Sequence, residues 1–493
     1  MGYLIVSGCN DNYILTMIDF IQKYYENHLD CSKLIIYDYG LNENNLNEII
    51  NSVNHNLIKA SSSIDWLNHM GTEESITLAK DIERGNRESY DSMMEYYFQN
   101  YNDKLLSISD YRDIFIQPNS VLLDFARIID LDGQFAYIVY LYEPNSISPE
   151  IIYLGLEETL NNLTTTDDLK TLAYSSRGSK GKTTKTIMDH GKKLYEFLWK
   201  PLETKIADYE IISFSFDGLL NKIPLANLQD ENGEILLHKY ILNQISNPTV
   251  LINQQSVNPD LSDILIYGGI DYSESSTNTS SDFQYLPGTK KEAESLKSLF
   301  PNSRVLSNDK ASESHFRSLS GKSPSVLHIA THGFYFEYDK DPIIDYGKRF
   351  KTNKNPMKRT GLLLSNGNKD MSSAGSLDTD GLDGVLTSIE IAYSDLRNTD
   401  LVVLSACETG LGDISGSEGI YGLQRAFKMA GVNLILLTLW EIPDAETQEF
   451  MEYFYSDWRQ SNNVKTAFRN TQKYMHNKYG DSPDKWAAFI LLE

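Results

Sequence analysis

Two stretches of this sequence each end an apolar strand on a group able to do nucleophilic chemistry. Leu401-Val-Val-Leu-Ser-Ala-Cys407-Glu-Thr-Gly-Leu-Gly412 is apolar as far as Leu404, then passes through small residues to a cysteine and two glycines. A strand fixes such a cysteine, the end of the strand exposes it, and glycines let a substrate backbone come close. Upstream, Val326-Leu-His328-Ile-Ala-Thr-His332-Gly333 has the same design, with a histidine and a glycine at its end.

A free thiol with a pKa of about 8.5 is mostly protonated at neutral pH; a neighbouring imidazole lowers that pKa and later supplies a proton to the leaving amine. Adjacent parallel strands would bring His332 and Cys407 together at the carboxyl edge of a sheet, where open α/β sheets hold their sites. The N–H groups of Gly333 and Cys407 are then candidates for an oxyanion hole. On pattern alone, a buried inert cysteine and a core or capped histidine remain open. His328 lies four residues before His332, on the same face of the strand, and reads as a core or supporting residue.

The elements that must position this pair read as an α/β unit spanning residues 261–493. It opens on Ile264-Leu-Ile-Tyr267. Leu286-Pro-Gly288 leads into Thr289-Lys-Lys-Glu292, a capping-box pattern that predicts a helix through Phe300. Between the two strands lies a long polar stretch from Phe334 to residue 385, a candidate substrate wall. After Cys407, Ile420, Leu423, Phe427 and Ala430 recur at helical spacing. Asn433–Leu439 is a buried strand, and 486–492 is expected as an edge strand packed back on the sheet.

Residues 116–260 read as a second unit. It holds a hairpin (120–129 and 135–142 around an Asp130–Gly133 turn), a helical segment over 186–202 and a strand over 209–216. Residues 61–115 read as a polar helical linker. Residues 1–60 read as a short βαβα start. Arg177-Gly-Ser-Lys-Gly-Lys-Thr183 ends like a phosphate-binding loop, but Ser176 stands where the first glycine belongs, so it reads as a basic loop.

Composition narrows the function classes. The formal charge is −24, from 44 basic and 68 acidic residues, which argues against general binding to nucleic acid or anionic membranes. The cysteines number three (Cys9, Cys31 and Cys407), which suggests a reducing compartment without a disulfide framework. No cluster has metal-ligand spacing, no apolar run is long enough to span a membrane, and the first residues lack a signal-peptide pattern.

Several motifs together resemble the CHAT family, caspase-like peptidases akin to separases and caspases. They are His328-Ile-Ala-Thr-His332-Gly333, the Cys407 stretch, Gly416-Ser-Glu418-Gly419, Leu439-Trp440-Glu-Ile-Pro-Asp444 and Trp486-Ala-Ala-Phe489. Leu286-Pro-Gly288, Asp217-Gly-Leu-Leu-Asn-Lys-Ile-Pro224 and Gly384-Val-Leu-Thr-Ser-Ile-Glu390-Ile fall in the same family order. The resemblance implies a caspase-like α/β sandwich, with an inactive pseudo-caspase half (116–260) before the active half (261–493). It also implies a cysteine endopeptidase with a His332/Cys407 dyad and no metal or cofactor. By analogy with separases, Asp444 would floor a pocket for Arg or Lys, although a helix N-cap is its alternative role. Glu418 and Trp440 are further candidate substrate contacts.

The family setting implies a cytoplasmic bacterial enzyme of antiphage defence. A sensor or activator protein would release it to cleave one protein target, in some systems a gasdermin-like pore former. The sensor repeats common in the family are missing, since no 34-residue period is present. Leu4-Ile-Val-Ser-Gly-Cys-Asn10-Asp-Asn12-Tyr13 and Ile36-Tyr-Asp38-Tyr-Gly40-Leu41 resemble the opening of a nucleotide-sugar glycosyltransferase, but no Asp-x-Asp metal motif follows in a suitable place. The rival to a peptidase is a catalytically silent CHAT scaffold that binds partners.

Overall fold

A computed structural model describes residues 119–493 apart from 131–132, 145–148, 165–183, 247, 252–256, 273–282, 337–338, 340–347, 354–355, 369–382, 408–420, 441 and 481. The βαβα reading of 1–60, the helical reading of 61–115 and the basic loop at 177–183 lie outside the described residues, as does Glu418.

The chain builds a large, mostly parallel sheet. Its central strands are rich in apolar residues, as strands covered on both faces tend to be. They are β6 (Ile264–Tyr267), β8 (Val326–Tyr335), β11 (Leu401–Cys407) and β12 (Leu434–Thr438). β8 lies between β6 and β11, and β12 flanks β11, all parallel; β7 (Arg304–Leu306) closes one edge beside β6. The earlier half supplies a hairpin, β1 (Ser120–Ile129) and β2 (Phe135–Tyr142), with β3 (Glu150–Leu156) outside it. β4 (Ile211–Ser215) and β5 (Ile241–Gln244) run parallel to β1. The hairpin turn closes where the sequence placed it, Gly133 N–H donating to Asp130 O at 3.0 Å.

One expectation about the sheet is corrected. The last strand, β13 (Phe489–Leu492), is interior rather than an edge. It pairs antiparallel with β12 on one side and meets β5 through Leu492 and Gln244 on the other. Ser246 N–H donates to Glu493 O at 2.6 Å, and Glu493 N–H to Gln244 O at 3.0 Å. The four apolar residues of Phe-Ile-Leu-Leu explain the placement, since all are buried and an edge would leave one side of the strand wet. Two apolar cores flank this seam. The larger is built from residues beyond about 235, with Trp458, Tyr455 and Phe454 at its centre; the smaller gathers Phe125, Trp199, Leu202 and Phe214.

Helices cover the faces: α1 (Glu157–Thr164), α2 (Thr184–Leu198) and α3 (Lys200–Ile206) on the first half; α4 (Pro287–Leu299), α5 (Ser388–Ala392), α6 (Tyr421–Met429), α7 (Asp444–Ser461) and α8 (Val464–Tyr479) on the second. α4 starts two residues before the expected capping box, on Leu286 as N-cap with Pro287 pre-set for the first turn. Thr289 and Glu292 do not cap it. The Thr289 hydroxyl donates to Leu286 O and accepts from Gly269 N–H, while Glu292 turns in toward the sheet. The real capping box is Thr387 with Glu390, at the start of α5.

Among the described residues, no helix is long and apolar enough to cross a membrane.

Candidate active site

The parallel ladder between β8 and β11 stays in register over seven pairs, from Leu401 beside Val326 to Cys407 beside His332. The structure therefore sets the two residues side by side at the carboxyl ends of neighbouring parallel strands. β8 does not stop there. Past His332 it continues to Tyr335 and pairs antiparallel with β9 (Thr360–Leu363), placing Gly333 opposite Leu362, while β10 (Val385–Thr387) pairs with the other side of β9. Gly333 is thus a mid-strand residue where β8 leaves one neighbour for another.

His332 is half-buried and held from several sides. Its ring lies between Tyr272 and Phe283, with centroids 5.0 and 4.9 Å away. Its Nε2 is 2.7 Å from the carbonyl oxygen of Gln284. A carbonyl only accepts, so Nε2 carries the hydrogen and the lone pair of the neutral ring sits on Nδ1. The Tyr272 hydroxyl is itself 3.0 Å from Thr331 Oγ1.

Beneath the paired ends of β8 and β11 lies a buried polar network. Pleat alternation puts His328, His332 and Ser405 on one face of the sheet. The Glu292 carboxylate of α4, 3% exposed, accepts from Ser405 Oγ at 2.8 Å. Its other oxygen stands 3.0 Å from His328 Nε2, off the line of a hydrogen bond, so that contact is electrostatic. His328 Nδ1 meets the Tyr455 hydroxyl of α7 at 3.1 Å. Burial pushes the Tyr455 phenol well above its ordinary pKa, and the Glu292 charge adds to the shift. One carboxylate thus ties β11 to β8, and His328 is a core residue that supports both.

Beside this network is a cleft of about 450 Å3, including its open mouth, lined by Gly288, Thr289, Glu292, Ser405, Thr438 and Asp444 among others. Asp444 is the first residue of α7, with Pro443 as N-cap and no side-chain cap, so its alternative role as N-cap is set aside. Its carboxylate lies against the first turn of α4. A Cβ at Gly288 would come within 2.8 Å of Asp444 Oδ2, so glycine is what admits it. The unpaired N–H groups and dipole of a helix start favour a negative charge there. Trp440 does not face this cleft. It is 5% exposed, and its Nε1–H donates to Asp484 O at 3.0 Å, which makes it a strap for the segment before β13.

Sequence reasoning missed Gln284, Phe283, Tyr272 and Asn368. Gln284 acts through its backbone, which no residue pattern reveals. Asn368 grips Phe283 at both ends: its Oδ1 accepts Phe283 N–H at 2.9 Å and its Nδ2 donates to Phe283 O at 2.8 Å. Among the described residues, no cluster of three or more His, Cys, Asp or Glu side chains could hold a metal ion.

The CHAT domain family matches residues 189–493. Tetratricopeptide repeat protein 28 of Mus musculus is 32% identical over 100 residues, which is 20% of this chain and 4% of that protein. The protein of the same name from Homo sapiens is 30% identical over 93 residues, 19% of this chain and 4% of its own length. The chain thus spans a small fraction of these curated relatives. Among solved structures, the Saccharomyces cerevisiae separase–securin complex is similar with a TM-score of 0.45 and 10% identity, covering 98% of this chain and 39% of that one. The Arg specific cysteine proteinase gingipain R gives a TM-score of 0.34 and 11% identity, covering 64% of this chain and 68% of that one. With the family matched over more than half of its length, this chain belongs to the CHAT family.

Proposed function

We propose that this protein is a cysteine endopeptidase in which Cys407 is the nucleophile and His332 the general base. The observation that carries the reading is the in-register pairing of Cys407 with His332, with His332 Nε2 committed to the Gln284 carbonyl. That commitment assigns Nδ1 as the atom that takes the thiol proton. The thiolate attacks the peptide carbonyl carbon, and the carbonyl oxygen gathers negative charge, for which the N–H groups of Gly333 and Cys407 are the proposed donors. The imidazolium, stabilised by the Gln284 carbonyl, then protonates the amine as the C–N bond breaks. A water, deprotonated by the same Nδ1, hydrolyses the thioester and returns the free enzyme.

The cleft beside the dyad is the proposed pocket for the residue before the scissile bond. Asp444 at its wall and Glu292 at its base give it negative charge, which favours Arg or Lys. Glu418 is proposed as a contact on the substrate side. A protein target and an activating partner, in a cytoplasmic antiphage defence setting, complete the reading; a gasdermin-like pore former is one candidate target.

The test is an activity-based thiol probe, applied to the chain alone and with neighbouring gene products co-expressed. Labelling of the wild type, its loss in Cys407→Ala and cleavage of a co-expressed protein only with Cys407 intact are the expected results. Absence of Cys407-dependent labelling and cleavage under all these conditions would leave the scaffold reading standing.

A further inference from the structure

We infer that Asn368 is a positioning residue for His332, acting through the Gln284 carbonyl. The inference rests on the dyad reading above and adds a residue that acts through the backbone of Phe283 and Gln284. Asn368 follows β9 and is 6% exposed. Its side chain makes two hydrogen bonds to the backbone of Phe283, one accepted and one donated. Its own N–H donates to Tyr272 O at 3.1 Å. Phe283 and Tyr272 are the two rings that flank His332, and the residue after Phe283 supplies the carbonyl on Nε2.

The segment that carries this carbonyl has no regular structure to hold it. Residues 283–286 precede α4 outside any helix or strand, and Gln284 and Tyr285 are exposed. A primary amide is the side chain suited to the grip, since it offers a donor and an acceptor on one short stem. Asp lacks the donor and Leu lacks both. The grip fixes where the Gln284 oxygen stands, and that oxygen does two things for His332. It holds the ring in one orientation with the lone pair on Nδ1, and its dipole stabilises the imidazolium more than the neutral ring. The Tyr272 phenol, engaged by Thr331, is a titratable group facing the ring, and Cys407 is the residue paired with His332 along the ladder. Loss of the grip frees the carbonyl, lowers the imidazolium pKa and depletes the thiolate–imidazolium pair at neutral pH.

The experiment measures carboxymethylation of Cys407 by iodoacetate across pH, in wild type, His332→Ala, Asn368→Ala and Asn368→Ser full-length chains, by intact-protein mass spectrometry. An anionic reagent reacts fastest while an imidazolium stands beside the thiolate, so the alkaline limb of the profile reports His332. Asn368→Ala is expected to lower the rate at neutral pH by about tenfold and to move the alkaline limb to lower pH, as removal of groups that orient a functional imidazole does elsewhere. Asn368→Ser is expected to move it the same way and serves if the alanine variant does not fold. In a Cys407→Ala background, histidine NMR titration is expected to show a lower His332 pKa when Asn368 is also replaced. A wild-type profile and an unmoved His332 pKa in the Asn368 variants overturn the inference when His332→Ala does change the profile. If His332→Ala itself reacts like wild type, the dyad reading fails, and the inference with it.

Discussion

His332 Nε2 lies 2.7 Å from the Gln284 carbonyl oxygen, so a backbone oxygen 48 residues upstream decides which ring nitrogen carries the hydrogen. The expected consequence is a single neutral tautomer. In a Cys407→Ala chain labelled with 15N-histidine, His332 should show a protonated Nε2 and an unprotonated Nδ1 above its pKa. A dominant Nδ1–H form would contradict the proton path through Nδ1.

The acidic cleft makes a separate prediction about selectivity. Asp444→Asn keeps the shape and removes the charge. It is expected to lower kcat/KM on peptides with Arg before the scissile bond by roughly 30- to 100-fold, about 2–3 kcal/mol of transition-state binding, and to leave a Leu analogue unchanged. Equal losses on both peptides would place Asp444 in the scaffold rather than in the pocket.

Glu292 ties β11 to β8 through Ser405 and His328. Glu292→Ala leaves Ser405 and His328 buried without their carboxylate and is expected to cost about 2–4 kcal/mol of stability. Glu292→Gln, which still offers an oxygen to Ser405, should cost less. Urea unfolding at fixed pH measures both, and a loss under about 0.5 kcal/mol for the alanine variant would show that the carboxylate is not a strut.

Stability should also depend on pH through Glu313. This side chain lies in a short helix (Glu313–Arg317), is 2% exposed and accepts the N–H groups of Asp383 and Gly384 at 2.9 and 3.1 Å. Burial pushes its carboxyl up to about 7, the Glu390 charge adds to this, and Arg317 partly offsets it. The folded chain keeps this proton up to about pH 7, whereas the unfolded chain releases it near 4.5. Stability from this group therefore falls as pH rises between those values. The melting temperature of wild type should drop between pH 5 and pH 8 by about 3 °C or more relative to Glu313→Gln. Parallel curves for the two proteins would refute it.

The parts of the fold written in side-chain pattern were legible in the sequence. The apolar runs around His332 and Cys407 gave the two strands, and their shared design gave the adjacency that the ladder shows. What stayed hidden was set by backbone or by tertiary context. The Gln284 carbonyl has no residue signature, and Asn368 looks like any polar loop residue until Phe283 is seen between its two amide atoms. Thr289 and Glu292 had the spacing of a capping box, but Pro287 started the helix earlier and the buried Ser405 and His328 claimed the carboxylate. Asp444 showed the reverse competition: Pro443 took the cap position, leaving the carboxylate to lie against Gly288.

The placement of β13 has a consequence for how the molecule is made. Residues 489–492 fill the slot between β12 and β5, strands that leave the ribosome much earlier. Until those four residues emerge, both strands present open edges and the two halves of the sheet have no ladder between them. Folding of the nascent chain is thus expected to proceed as two separate pieces that knit only once Phe489–Leu492 have emerged. A truncation before Phe489 should accumulate as an aggregation-prone intermediate rather than as a slightly shorter native fold.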